Sequence, residues 1–332
     1  MASRPRPGCS NWKAVPSSSS YSRSTGRMMS DFRSGFVTLV GRPNVGKSTL
    51  LNGLLGQKIA AVSPRPQTTR RRQLGILSQD DYQIIFMDTP GLHKPVHKLG
   101  EYMNDVAAAT LEDADLIVWL VDASQPLQEE DQLIAARLEK LGDHHPPVLL
   151  ALNKIDLLLA GELAARGAEF QALLPSATLF SLSAASGAGR DALLARIVSA
   201  LPIGQPYYDP EQITDLYERD IAADLIREST LRHLRDEIPH GIAVRIDEYK
   251  ERSEVQVYIG ATIFVERESH KGIVIGQGAG MLKQIGTTAR QEIEGMSGRH
   301  VYLELRVKVN KNWRDDPVAL RQFGFVIEKD DN

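Results

Sequence analysis

The stretch GRPNVGKSTLLNGLLGQ, residues 41–57, follows an apolar run, FVTLV at 36–40, and runs on into helical spacing. It fits the pattern Gly, four residues, Gly, Lys, Ser or Thr, a loop that cradles phosphate between a strand and a helix. Gly41 and Gly46 let the backbone curl so that its N–H groups face the phosphates, and the helix start adds the positive end of its dipole. The residues assigned to nucleotide on this reading are Gly41, Arg42, Pro43, Asn44, Val45, Gly46, Lys47, Ser48 and Thr49. Lys47 is placed to reach the outer phosphates and Ser48 to hold Mg2+. A turn that merely caps a helix would explain the glycines but not a lysine followed by a serine.

The base is read further on. NKID, residues 153–156, follows the apolar run PVLLAL, so its side chains emerge where a parallel strand ends and ligands bind. A carboxylate at Asp156 can accept two hydrogen bonds from the N1–H and 2-amino group of guanine, donors that adenine lacks, and Asn153 is assigned to the other edge with Lys154 beside it. SLSA at 181–184 ends the next strand, and Ser183 and Ala184 are expected to supply the backbone contact over the base. DTPG at 88–91 gives Asp88 for the magnesium, Thr89 and Pro90 along the nucleotide, and Gly91, whose N–H can bond the γ-phosphate. In QTTRRR, 67–72, Thr68 or Thr69 could supply a hydroxyl to magnesium, with Thr69 favoured, and Arg70, Arg71 and Arg72 read as solvated residues. The catalytic set is then Lys47, Thr69, Asp88 and Gly91. After Gly91 stands Leu92, where Ras-type GTPases carry a water-orienting glutamine. An apolar side chain cannot align water, so slow intrinsic turnover is expected unless backbone, a potassium ion or a partner helps. His93 and His97 lack neighbouring acids or cysteines and are not read as a metal site.

The chain has 332 residues, 42% of them hydrophobic and 24% charged, enough for two domains each with a core. Its apolar runs are too short to span a membrane, which needs about 20 residues. A single cysteine, Cys9, excludes an internal disulfide framework and points to a reducing compartment. The net charge of −3 means that any nucleic-acid contact must come from a local patch. Residues 1–35 are rich in Pro, Ser and Arg with Asp31 as the lone acid, a composition that builds no core. Two readings stay open for them: a disordered extension, with Met28 or Met29 as the true start, or an organelle transit peptide.

From 36 to 204, apolar runs alternate with helix-length segments, implying an α/β domain with a mostly parallel sheet and helices on both faces. LPIGQPYYDPEQ, 201–212, breaks every period and marks a linker at 205–212. From 213 to 332 the pattern is a long helix to about 235, two strands, a glycine-rich turn, a helix and a strand, a small α+β domain.

With GRPNVGKSTLLN, QTTRRR, DTPGLHK, NKID and SLSA in order, the first domain resembles the TrmE-Era-EngA branch of GTPases. YERDIAADLIRE, ATIFVERESHKGIVIG and VYLELRVKVNKNWRDD extend the resemblance to the Era family, a P-loop GTPase domain followed by a type II KH domain, over about residues 36–327. The resemblance implies GTP or GDP with Mg2+ as ligands, and K+ too, since Asn44 stands where potassium-using relatives have asparagine. It further implies a monomer that binds the 3′ region of small-subunit rRNA and regulates late 30S assembly in a bacterial-type cytoplasm, with peripheral membrane association; a transit peptide would place it in an organelle instead. The rival reading is an RNA-binding assembly module in which nucleotide is a slow structural ligand.

KH domains clamp about four nucleotides at a GXXG turn. In IVIGQGAGMLKQIG, 273–286, the turn falls on Gly276, Gln277, Gly278 and Ala279, so alanine replaces the second glycine, with Gly280 next. The second half is acidic overall, so RNA affinity must be local: Lys271 and Lys283 about the turn, and Arg306, Lys308, Lys311 and Arg314 on and after the last strand, with Trp313 as either a stacking plane or a packed ring; the alternation in LELRVKV also fits a half-exposed strand whose basic face is merely solvated.

Overall fold

The computed structural model describes residues 31–62, 69–92, 95–142, 146–234 and 238–325. The first domain runs β1 (Arg33–Val40), α1 (Lys47–Leu55), β2 (Gln73–Ser78), β3 (Tyr82–Asp88), α2 (Lys98–Glu112), β4 (Leu116–Asp122), α3 (Glu129–Glu139), β5 (Val148–Asn153), α4 (Glu162–Gln171), β6 (Thr178–Ser181) and α5 (Arg190–Ala200). The six strands lie in the order β2-β3-β1-β4-β5-β6, all parallel except the edge strand β2, which runs antiparallel to β3. β4 shows why continuous apolar runs suit this sheet. Ile117, Trp119 and Val121 enter the core beneath α2, α3 and α4, while Leu116, Val118 and Leu120 enter the core beneath α1 and α5. β2, α2 and α4 carry none of the nucleotide motifs read from the sequence.

The second domain runs α6 (Glu218–His233), β7 (Ala243–Ser253), β8 (Gln256–Val265), α7 (Glu268–Ile275), α8 (Gly280–Ser297), β9 (His300–Val309) and α9 (Pro317–Gln322). Its sheet is β7-β8-β9, antiparallel then parallel. Val257, Ile259, Ala261, Ile263 and Val265 of β8 pack against Leu225 and Ile226 of α6 and Ile285, Ala289 and Ile293 of α8. Alternation therefore turns Tyr258, Thr262 and Phe264 to the opposite face.

The long helix begins at Glu218 rather than near 213 because the chain before it is held extended along β2. The Ile76 N–H donates to the Ile213 carbonyl at 2.8 Å and the Leu74 N–H to Asp215 Oδ1 at 3.0 Å. Upstream, the N–H groups of Tyr207 and Tyr208 both donate to Gln83 Oε1.

A separate apolar cluster joins the domains: Leu99 and Met103 of α2 meet Ala243, Phe264, Trp313, Leu320, Phe323 and Phe325. Trp313 is fully buried there, its Nε1–H donating to the Gly241 carbonyl at 2.9 Å. Of the two readings of Trp313 the structure selects packing over stacking on RNA, because Phe323 and Phe325 cover the ring.

Candidate functional site

The loop after β1, the ends of β3 and β5 and the turn after β6 converge at one edge of the first sheet, as the placement of β1 between β3 and β4 requires. They enclose a cleft lined by Pro43, Asn44, Gly46, Lys47, Ser48, Thr49, Ala61, Val62, Thr69, Gly91 and Lys154. Ala61 and Val62 were not anticipated; they carry no motif.

Lys47 is buried, its Nζ donating to the carbonyls of Gly41 at 3.0 Å and Arg42 at 3.1 Å. Burial lowers its pKa to about 8, partly opposed by Asp88, and a polyanion in the loop would favour the charged form that desolvation disfavours. Ser48 Oγ donates to Asp88 Oδ2 at 2.8 Å, Thr69 Oγ1 lies 3.0 Å from Ser48 Oγ, and Thr69 Oγ1 donates to Asp88 Oδ2 at 3.2 Å. Burial pushes the Asp88 carboxyl up, partly countered by Lys47, Ser48 and Thr69, and its Oδ1 is buried without a hydrogen-bond partner among the described residues. Two hydroxyls and a carboxylate with a spare oxygen fit a hard divalent cation. Ser48, Thr69 and Asp88 would hold Mg2+, which supplies charge neutralisation at the phosphates when bound. Thr68 and His93 lie outside the described residues.

Gly91 packs directly on the phosphate loop: a Cβ there would come within 2.6 Å of the Pro43 nitrogen, so the close approach needs glycine. Thr89 is buried and spends its hydroxyl on the Leu39 carbonyl at 2.9 Å, with buried Pro90 beside it. Leu92 is 6% exposed and belongs to the core under α2 and α3. Asn44 is exposed in a left-handed conformation (φ 65°).

The base loop is organised differently from the sequence reading. Asn153 is buried, its Nδ2 donating to the Val45 carbonyl at 2.7 Å and its Oδ1 accepting from the Ala184 N–H at 2.8 Å. It staples the phosphate loop to the 183–186 turn, and the Ala184 N–H is spent on that staple rather than on a base. Ser183 is buried and its Oγ accepts from the Ser186 N–H at 3.1 Å. Lys154 Nζ reaches Asp122 Oδ2 at 2.6 Å along the cleft. Asp156 is exposed, with no partner for its carboxylate among the described residues. The Arg42 side chain turns away from the cleft to pair with buried Asp131 at 3.3 Å, so it braces the loop against α3 and does not face nucleotide.

Arg70 and Arg71 are not solvated. Arg70 is 5% exposed, donates Nη1–H to the Ile242 carbonyl at 2.6 Å and lies 5.6 Å from the Trp313 ring centre. Arg71 donates to the Phe323 carbonyl and covers the Phe325 ring at 5.2 Å.

In the second domain the glycine-rich turn joins α7 to α8. Gly276 (φ 71°), Gly278 (φ 57°) and Ala279 (φ 61°) have positive φ, and Ala279 is the residue capping α8. Gln277 and Lys283 are exposed, Gly280 is already helical, and Lys271 lies on α7 at 3.9 Å from Glu268. Arg306 and Lys308 do not join them. The odd residues of β9 pack toward the helices, so Arg306 and Lys308 project from the opposite face, where Arg306 pairs with Glu304 at 2.8 Å. Arg314 is engaged by Glu266 at 2.6 Å, and Lys311 is exposed beyond β9. The expected basic cluster is thus divided between two faces.

Residues 36–154 match the family described as 50S ribosome-binding GTPase, and residues 237–314 match the KH domain family. The chain is 46% identical over 299 residues to GTPase Era of Caldanaerobacter subterraneus subsp. tengcongensis, an alignment covering 90% of this chain and 99% of the relative. It is equally identical over 301 residues to GTPase Era of Alkaliphilus metalliredigens, covering 89% and 99%. The chain belongs to the Era family of GTPases. Among solved structures, Era in complex with MgGDPNP and nucleotides 1506–1542 of 16S ribosomal RNA superposes with a TM-score of 0.84 at 40% identity, covering 89% of this chain and all of that one. A variant of Aquifex aeolicus Era bound to GDP·AlF4− matches with the same values. As an Era-family member the chain binds and hydrolyses GTP, and the Ser48, Thr69 and Asp88 oxygens agree with the Mg2+ that the first of those complexes names.

Proposed function

We propose that this Era-family GTPase binds the 3′ region of small-subunit rRNA at the 276–280 turn and, through its nucleotide state, gates a late step of 30S subunit assembly. The observation that carries the reading is the conjunction in one chain of the Ser48–Thr69–Asp88 cluster with an open, positive-φ turn between two helices of a KH domain. The relative solved with 16S nucleotides supports the RNA identity. Lys271 and Lys283 neutralise phosphates beside the turn, whose small residues let the two backbones approach. Lys308, on the other face, contributes only to the general field. Hydrolysis is slow alone, because Leu92 is committed to the core and offers no group to water. K+ near Asn44, or RNA on the second domain, raises the rate.

No helix among the described residues is long and apolar enough to cross a membrane. A crosslinking footprint on small-subunit rRNA tests the proposal: contacts concentrate at the 3′ end and strengthen with a non-hydrolysable GTP analogue over GDP. A footprint elsewhere, or one indifferent to nucleotide, overturns it.

A further inference from the structure

The face of the β7-β8-β9 sheet that turns away from α6 and α8 is divided along its length. At one end Ala243 and Phe264 lie in the apolar cluster with Phe323, Phe325 and the residues of α2. At the other end the face is open. Lys250, Tyr258 and Tyr302 stand in one row across the three strands, and Tyr302 is 59% exposed.

The two rings are arranged rather than merely adjacent. Tyr258 Oη donates to Glu304 Oε2 at 2.9 Å, which fixes its ring, and Tyr302 stacks beside it with ring centres 5.7 Å apart and planes inclined by 21°. The Arg252 guanidinium covers both rings, 5.0 and 5.7 Å from their centres. A cross-strand aromatic pair strengthens a sheet. Sheet stability alone, however, calls neither for a ring left mostly in water nor for a guanidinium laid over the pair.

Charge on this face favours an anion. Arg245 pairs with Asp247, Lys250 with Glu248 and Arg306 with Glu304. Arg252 and Lys308 are then the surplus, and the face is net positive on a chain of net charge −3. Aromatic rings and an arginine set among cations hold single-stranded nucleic acid, with bases on the rings and phosphates against the cations. A protein partner instead wants an apolar centre inside a polar rim, and here charged side chains stand directly beside the rings.

We propose that Tyr302, Tyr258 and Arg252 form a second site for single-stranded RNA, on the sheet face turned away from the glycine turn, which takes bases by stacking whatever their identity. Tyr302 supplies the open ring, Tyr258 backs it, and Arg252 adds its cation to the stack. Lys250 in the same row meets phosphate. Lys308, which acts only at long range on RNA at the turn, lies here on the strand that carries Tyr302. The site stands apart from the reading of the turn.

The test uses the full chain and a single-stranded oligonucleotide of the 16S 3′ end with 4-thiouridine in place of uridine. After irradiation, peptide mapping finds crosslinks at Tyr302 as well as at the turn. In a Lys271→Ala, Lys283→Ala background, which weakens the turn, Tyr302→Leu raises the Kd about 5-fold or more, the lower end of what stacking one base contributes. Tyr302→Phe, which keeps the ring, leaves the Kd unchanged. Crosslinks confined to the turn would overturn the second site, as would a Tyr302→Leu protein that binds as tightly as its parent; either result leaves this face to sheet stability or to a protein. A crosslink at Tyr302 with none at the turn would overturn the reading of the turn and support this site.

Discussion

The glycine-rich turns before α1 and α8 are each entered through a left-handed residue, Gly46 in the first and Ala279 in the second. Their surroundings differ. The first is clamped by tertiary contacts, with Asn153 on Val45, Gly91 against Pro43 and Asp131 on Arg42. Around the second, a Cβ added at Gly278 or Gly280 would meet nothing within 4 Å, and one at Gly276 would meet Met281 in the first turn of α8 itself. A turn held from all sides is preorganised for one compact polyanion, while a turn in open space suits a chain that passes over it. In the first, the fold enforces the backbone conformation; in the second, the residues themselves must favour it.

The sharpest way to break the first turn's selectivity is at the base. Asp156→Asn is expected to reverse preference between GTP and xanthosine triphosphate, with a loss of roughly 10⁴ in GTP discrimination, as for sites built on a paired hydrogen bond; titration calorimetry with both nucleotides reads it out. Next in size is Gly46→Ala. At φ 108°, with the Asn153 amide standing where a Cβ would sit, the added methyl combines backbone strain with collision and costs the folded protein about 3 kcal/mol, read as a lowered denaturation midpoint. The smallest change runs the other way. Ala279→Gly relieves a left-handed alanine and is expected to stabilise the protein by about 1 kcal/mol, seen as a raised denaturation midpoint. The same substitution tightens binding of a 16S 3′-end oligonucleotide by a few-fold. If it weakened either property, the contrast between an enforced and a self-determined turn would be wrong.

Motifs whose chemistry is local were legible in the sequence. GRPNVGKS, DTPG and NKID each lie at a strand end, and their spacing alone placed Ser48 and Asp88 at one site. What escaped was set by partners distant in sequence. Asn153 reads as a base contact until the structure shows its amide spent on Val45 and Ala184. Arg70 reads as solvated because nothing near it announces Ile242 or Trp313. The alternation in LELRVKV gave a half-exposed strand, yet could not say that its basic face is turned away from the glycine turn; that follows from which face of β8 and β9 the helices cover.

The bonds from Ile76 to Ile213 and from Leu74 to Asp215 have a consequence for solubility. An outermost strand offers its unpaired amides to any other chain, and here the connector lies along that margin like a hem, sealing it with its own backbone and one carboxylate. Inserting residues at 209–212, or cutting the chain before the connector, would unpick the hem and invite strand-to-strand self-association in a first domain whose catalytic cleft stayed whole.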